Sequence, residues 1–275
     1  MKKIFILLLI LSTNASFAGE KIVNNKAVEN DSFIFVKGYH NEKIENYFKE
    51  HKSILKEWGY KKITTISPQS EQSITSNAEV LAEVLRKHKS GFAIIAHSKG
   101  GLEALVALLK YPELIQKVTK MILVQSPLKG SPFADAYWKK SDIDNFWVPG
   151  YLFYSRAHYA GFLSMRTEDV KKTYEDNLDN ISEKELRSLG QKIYYWRSKK
   201  DNPPALYDDY AEALRDFSPH DGLVPTTHMM LKKMGAVSPF GQDLGVHNDT
   251  SHLEMVSIEG RKTELIKDLL RKTLF

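Results

Sequence analysis

The chain has 275 residues, with 39 Lys and Arg against 34 Asp and Glu, no Cys, 42% hydrophobic content and 27% charge. That composition excludes a disordered chain, a collagen-like repeat, a disulfide scaffold and a thiolate metal site. The net charge of +5 is small and the basic residues alternate with acids, as in residues 183–187, so no phosphate-binding stripe and no nucleic-acid partner is expected. About 150 residues per domain would permit two domains, but α/β folds commonly use about 250 as one core. One domain with an insertion is therefore the expected organisation.

The chain opens with Lys2 and Lys3, an eight-residue apolar run from Ile4 to Leu11, and Ser16-Phe17-Ala18 before Gly19. This is the charged, apolar, small-residue order of a secretory leader, and its core is far shorter than the roughly 20 residues a membrane span needs. Residues 1–18 are expected to be removed, leaving 19–275 as an exported protein, periplasmic or secreted. Losing two lysines brings the charge to +3. No other segment is long and apolar enough to span a bilayer.

Short β-branched or aromatic runs then alternate with segments of helical spacing, the pattern of an α/β layered fold. Residues 32–36 (SFIFV) read as a buried strand, 44–58 as a helix and 62–66 as a second strand. Ala78, Leu81, Val84 and Leu85 give the next helix one apolar face, and Gly91 ends that segment. Residues 92–96 (FAIIA) form a continuous apolar run, as in a central parallel strand covered on both faces. A helix with Leu102, Leu105, Val106 and Leu109 on one side follows, then strands at 118–124 and 192–196. Residues 207–214 read as a helix, and 263–274 as a closing amphipathic helix through Leu265, Ile266, Leu269 and Leu270.

Residues 132–190 break the alternation. Nine of the 28 residues from 137 to 164 are aromatic, against 11% overall, which marks a cap insertion with an acyl-binding or interfacial surface. Trp138, Phe146, Trp147 and Phe153 are its candidate substrate contacts. Residues 167–190 read as two polar helices, the second capped by Ser182 with Glu185 three residues on.

The sharpest chemical signal is Ala96-His97-Ser98-Lys99-Gly100-Gly101, between a buried strand and a helix. A serine in a tight strand-to-helix turn needs small neighbours two residues before and after it, here Ala96 and Gly100. The turn would lift the Ser98 hydroxyl clear of the sheet and offer the Lys99 amide, at a helix N-terminus, to a developing oxyanion. A serine is a poor nucleophile without a base, so a histidine held by a carboxylate must lie downstream. Asp221, in the turn-rich SPHDGLVP loop, and His252, in a polar loop before the last helix, supply them in the order expected of a nucleophile elbow. His247 rivals His252, with His220 and His228 behind it, while Asp201, Asp208 and Asp209 compete with Asp221. The second oxyanion donor is expected from the loop after the first strand, Lys37-Gly38-Tyr39-His40, with the Tyr39 amide as candidate.

Together these residues resemble the α/β-hydrolase superfamily, and within it the secreted bacterial lipases and esterases. HSKGGLEA from His97 is similar to the elbow, SPLKGSPFAD from Ser126 to the segment after the next strand, DGLVP from Asp221 to the acid loop, and SHLEM from Ser251 to the histidine loop. The last match favours His252 over His247. The resemblance implies a mostly parallel central sheet flanked by helices, and cleavage of lipid or other apolar acyl esters by Ser98, His252 and Asp221, with a lipid interface as a further expected partner. Lys37-Gly38 stands where the family usually has His-Gly. Several relatives hold a structural calcium ion near the histidine loop; Glu254 and Asp249 are nearby oxygen ligands, but no second cluster accompanies them, so no metal and no cofactor is expected. An acyltransferase or thioesterase with the same triad, and a non-catalytic lipid-binding protein on the same fold, are the alternatives.

Overall fold

A computed structural model describes residues 32–88, 91–144, 160–201, 214–257 and 262–275. The leader expected at 1–18, Phe146, Trp147, Phe153, Asp208 and Asp209 lie outside them, as does the helix expected at 207–214 apart from Leu214.

Six strands, β1 (Ser32–Val36), β2 (Lys62–Ile66), β3 (Phe92–His97), β4 (Val118–Val124), β5 (Ile193–Ser198) and β6 (Gln242–His247), form one sheet in the order β2-β1-β3-β4-β5-β6. Every neighbouring pair is parallel. Side chains of a strand alternate between faces, and the sheet's apolar residues divide accordingly. Ile34, Val36, Ile94, Ala96, Met121, Leu123, Ile193 and Tyr195 join the core formed with helices α2 (Ile74–Lys87) and α3 (Lys99–Lys110). Phe33, Phe35, Ala93, Ile95, Ile122, Val124 and Trp196 join the opposite core, with α1 (Lys49–Glu57) and the C-terminal helix Thr263–Leu274.

Between β4 and β5 lie α4 (Pro132–Asp144), α5 (Ala160–Leu163), α6 (Thr167–Leu178) and α7 (Glu183–Gly190); the C-terminal helix is α8. Val170 and Tyr174 of α6, and Leu186 and Leu189 of α7, are buried in the core on the α2 and α3 face. The Tyr174 hydroxyl donates to the Leu128 carbonyl at 3.0 Å. The second half of the expected insertion is thus part of the layer covering the sheet, as a parallel crossover requires. This also explains why α3 is buried on all sides rather than along the one stripe its leucines suggested. Ser182 and Glu185 close a reciprocal capping box on α7.

Two elements differ from expectation. The helix expected at 44–58 begins only at Lys49, because Asn46 and Phe48 take left-handed backbone with φ of 56° and 59°. Phe48 N–H donates to the Val256 carbonyl at 2.7 Å and the Tyr47 hydroxyl turns inward, so tertiary bonds override helical spacing. The second is β6, whose sequence QDLGVH has no strand signature. It is an edge strand with no fully buried residue, so neither apolar alternation nor β-branching was required of it.

Candidate active site

The carboxyl ends of β1, β3, β4 and β5 lie side by side, with Val36 beside Ala96, His97 beside Val124, and Val124 beside Trp196. In open parallel sheets this edge is where ligands bind. Ser98 stands there between β3 and α3, with φ 55° and ψ −131°. That conformation is unfavourable for a residue with a side chain and persists only when its surroundings fix it. They do so closely. A Cβ on Gly100 would lie 2.4 Å from the Lys37 carbonyl oxygen, one on Gly101 1.9 Å from Ser126 Oγ, and one on Gly38 2.8 Å from Ser98 Cβ. The Ser98 amide donates to the Val124 carbonyl at 3.0 Å.

Ser98 Oγ lies 2.9 Å from His252 Nε2, and His252 Nδ1 lies 2.7 Å from Asp221 Oδ2. Asp221 is fully buried, and its other oxygen accepts the Leu223 and Val224 amides at 3.0 and 2.8 Å. The His252 amide donates to the Asp221 carbonyl at 3.0 Å, so the two loops are joined by backbone as well as side chain. Ser98, Asp221 and His252 are thereby brought together across three loops.

The rivals lie elsewhere. His247 ends the edge strand, half-buried, and desolvation lowers its pKa. His220 Nδ1 accepts the Gly222 amide, and His228 Nδ1 bonds the Gly130 carbonyl at 2.8 Å while packing on Phe217. Asp201 is exposed, 3.9 Å from Lys199 Nζ. Glu254 accepts two bonds from Lys200 Nζ, at 2.8 and 2.9 Å, and one from the Ser251 amide at 2.7 Å. A lysine ammonium therefore answers its charge and braces the histidine loop.

Beside Ser98 and His252 opens a cavity of about 170 Å³ walled by Tyr39, Phe133, Tyr137, Phe162, Met165, Leu223 and Val224. Lys99 opens α3, so its amide is among those with no intrahelical acceptor. Phe133 and Tyr137 are one helical turn apart on α4 and both reach the cavity. Trp138 does not line it: the Arg166 guanidinium covers that ring at 4.2 Å. Aromatic density pointed to this segment, but helical phase decides which rings face the cavity. His40 also lines it.

Behind Ser98 and His252 lie further buried polar groups. Tyr47 and His97 bond each other at 2.6 Å. Gln125, with φ 49°, donates to Ser198 Oγ and, at 3.0 Å, to the Ser251 carbonyl. His97 was visible as the residue before the elbow serine, whereas nothing in the sequence marks Tyr47 or Gln125.

Similar folds occur in solved structures. The mature lipase BlEst2 of Bacillus licheniformis superposes with a TM-score of 0.61 at 18% identity, over 88% of this chain and 92% of that one. This chain has the α/β-hydrolase fold. A metagenomic carboxyl esterase is similar with a TM-score of 0.63 at 17% identity, over 89% of this chain and 71% of its own. Staphylococcus hyicus lipase is similar at 0.53 and 12%, over 89% and 94%. No family model and no curated protein sequence matches the chain.

Proposed function

We propose that this α/β-hydrolase is an exported serine hydrolase of carboxylic esters with apolar acyl groups, a lipase or esterase. One observation carries the reading: a serine on a strained elbow, hydrogen-bonded to a histidine that is hydrogen-bonded to a buried aspartate, beside an apolar cavity. The similarity to lipases and an esterase supports it, and so does the leader grammar of residues 1–18. No helix among the described residues is long and apolar enough to cross a membrane.

In this mechanism Ser98 Oγ attacks the ester carbonyl while His252 Nε2 takes its proton. Asp221 holds the imidazole in the tautomer with Nδ1 protonated and stabilises the imidazolium that forms. The Lys99 and Tyr39 amides receive the oxyanion. His252 returns the proton to the leaving alcohol, and water then attacks the acyl-enzyme by the same route in reverse. The acyl group lies against Phe133, Tyr137, Phe162 and Met165, and α4 and α5 form the cap over the elbow.

The test is intact-mass measurement after exposure to a fluorophosphonate. Wild type is expected to gain one adduct and Ser98→Ala none, with ester turnover in the variant lower by about 10⁶-fold. Folded wild type that stays unmodified would overturn the reading in favour of a lipid-binding protein. Phe162→Ala should move preference along a series of p-nitrophenyl esters toward longer or bulkier acyl groups; an unchanged series would remove this wall from the acyl site.

A further inference from the structure

Two buried side chains outside the triad touch both of its flanking loops. Tyr47, on the irregular stretch before α1, accepts the Gly38 N–H on its hydroxyl oxygen at 2.8 Å and bonds His97 Nδ1 at 2.6 Å. His97 Nε2 lies 2.9 Å from the carbonyl oxygen of His252. A carbonyl can only accept, so Nε2 carries the ring proton. Burial pushes the His97 pKa well down, so the ring is neutral and Nδ1 is a bare acceptor. Burial also pushes the Tyr47 phenol up, so it keeps its proton. One arrangement satisfies all of this: Gly38 N–H donates to Tyr47, the Tyr47 hydroxyl to Nδ1, and Nε2–H to the His252 carbonyl.

The two ends of this chain matter. Gly38 sits against Ser98, where a Cβ would come within 2.8 Å of Ser98 Cβ, and its carbonyl accepts from Asn41 Nδ2 at 3.2 Å. In a trans peptide the following N–H points opposite to that carbonyl. Holding Gly38 on both sides therefore fixes the direction of the Tyr39 amide. At the other end the acceptor belongs to the backbone of His252 itself, whose ring lies 4.6 Å from that of His97.

We propose that Tyr47 and His97 are positioning residues that hold the oxyanion loop and the general base in register on either side of Ser98. The proposal rests on the ester-hydrolase reading. Neither side chain lines the cavity. The pair acts through groups whose placement counts most in the transition state, so its loss should fall on kcat rather than KM.

The test uses p-nitrophenyl butyrate. Tyr47→Phe removes one oxygen and keeps the ring packing; kcat should fall about 10- to 100-fold with KM changed by less than about 3-fold. His97→Leu breaks the same chain, so the double variant should be no slower than the slower single one. His97→Gln, which can accept from Tyr47 and donate to the His252 carbonyl, should recover most of the rate. Circular dichroism and the melting temperature establish that each variant is folded. A folded Tyr47→Phe within about 3-fold of wild-type kcat, or losses that add in the double variant, would overturn the proposal.

Failure of the enzyme reading is seen separately, as wild type that gains no fluorophosphonate adduct. The proposal is then judged by nitrogen-15 NMR of the imidazoles: His97 should be protonated at Nε2, and the His252 ring signals should move on Tyr47→Phe. An Nδ1-protonated His97, or an unmoved His252, would defeat it.

Discussion

Two buried polar clusters flank Ser98 from opposite faces of the sheet, and they differ in charge. On the α2 and α3 face, Lys99 and Glu103 form an ion pair at 2.9 Å with both side chains 1% exposed. On the α1 and α8 face, Tyr47 and His97 make a neutral pair that is equally buried. The charged cluster fastens distant segments together. Lys99 Nζ donates to the Gln72 carbonyl at 2.6 Å, and Asn77 Nδ2 donates to Glu103 at 2.7 Å and to the Gln69 carbonyl at 2.8 Å. The loop so held carries Ser70, which accepts the His40 amide at 2.7 Å. It also supports α5, where a Cβ on Gly161 would lie 1.8 Å from the Ser70 carbonyl oxygen.

The neutral cluster lies against His252 instead. A charged His97 would oppose the positive charge that His252 takes up in the proposed mechanism, and burial keeps the His97 ring neutral. The charged pair is tolerated because it is self-compensating and its ammonium has carbonyl acceptors. Charge can thus brace the walls of such a site, whereas the element touching the proposed general base is better uncharged.

The largest expected effect comes from breaking the charged cluster. Glu103→Ala leaves the Lys99 ammonium buried without its counter-charge, and should lower unfolding free energy by about 3–5 kcal/mol. Replacing both partners, Lys99→Met with Glu103→Leu, removes the charges together and should recover much of that loss. Urea unfolding of the three proteins reads the outcome directly. If Glu103→Ala unfolds at the wild-type midpoint, the ion pair is not what fastens the loop. Burial outweighs Lys99 and Asn77 and holds the Glu103 carboxyl above the ordinary carboxylate range; Glu103→Gln keeps an acceptor oxygen for both donors and should be milder than Glu103→Ala.

Neither cluster could be read from the sequence, although much of the frame around them could. The apolar runs of β1, β3 and β4 name themselves because central parallel strands are covered on both faces. The elbow names itself because Ala96 and Gly100 stand two residues before and after Ser98, between an apolar strand and a helix. A Cβ on Gly100 would indeed lie 2.4 Å from the Lys37 carbonyl oxygen. Asp221 follows from loop character, whereas His252 is separated from His247 only by the resemblance of SHLEM to the histidine loop. Tyr47 could not be read in this way. It sits in a stretch with helical spacing, and its role depends on Phe48 leaving the helical region for a bond to Val256, a contact 208 positions along the chain. β6 escaped because an exposed edge strand needs little apolar character. The aromatic density from residue 137 was legible but the helical phase was not: Tyr137, with Phe133 one turn before it, lines the cavity where Trp138 was expected.

A smaller effect, visible mainly in acid, sharpens the contrast from the neutral face. His51 of α1 is fully buried among Phe35, Phe48 and Trp196, with ring centroids 6.2, 5.4 and 6.1 Å away. Neither ring nitrogen has a hydrogen-bond partner among the described residues, and desolvation pushes its pKa down to about 3. Between that value and the ordinary histidine range, the unfolded chain binds a proton that the folded chain refuses. The stability this neutral ring permits is therefore present above about pH 6.5 and lost as pH falls, by about 1.4 kcal/mol per unit. His51→Phe removes the titration while keeping an aromatic ring in the same nest. Any misfit of the slightly larger ring is independent of pH, so the quantity to read is the difference between two conditions. The variant should gain about 2 kcal/mol on wild type at about pH 5 relative to about pH 8. Parallel stability curves would mean that the wild-type ring reaches water or a partner when protonated. The α1 and α8 face would then be less strictly neutral than its packing implies.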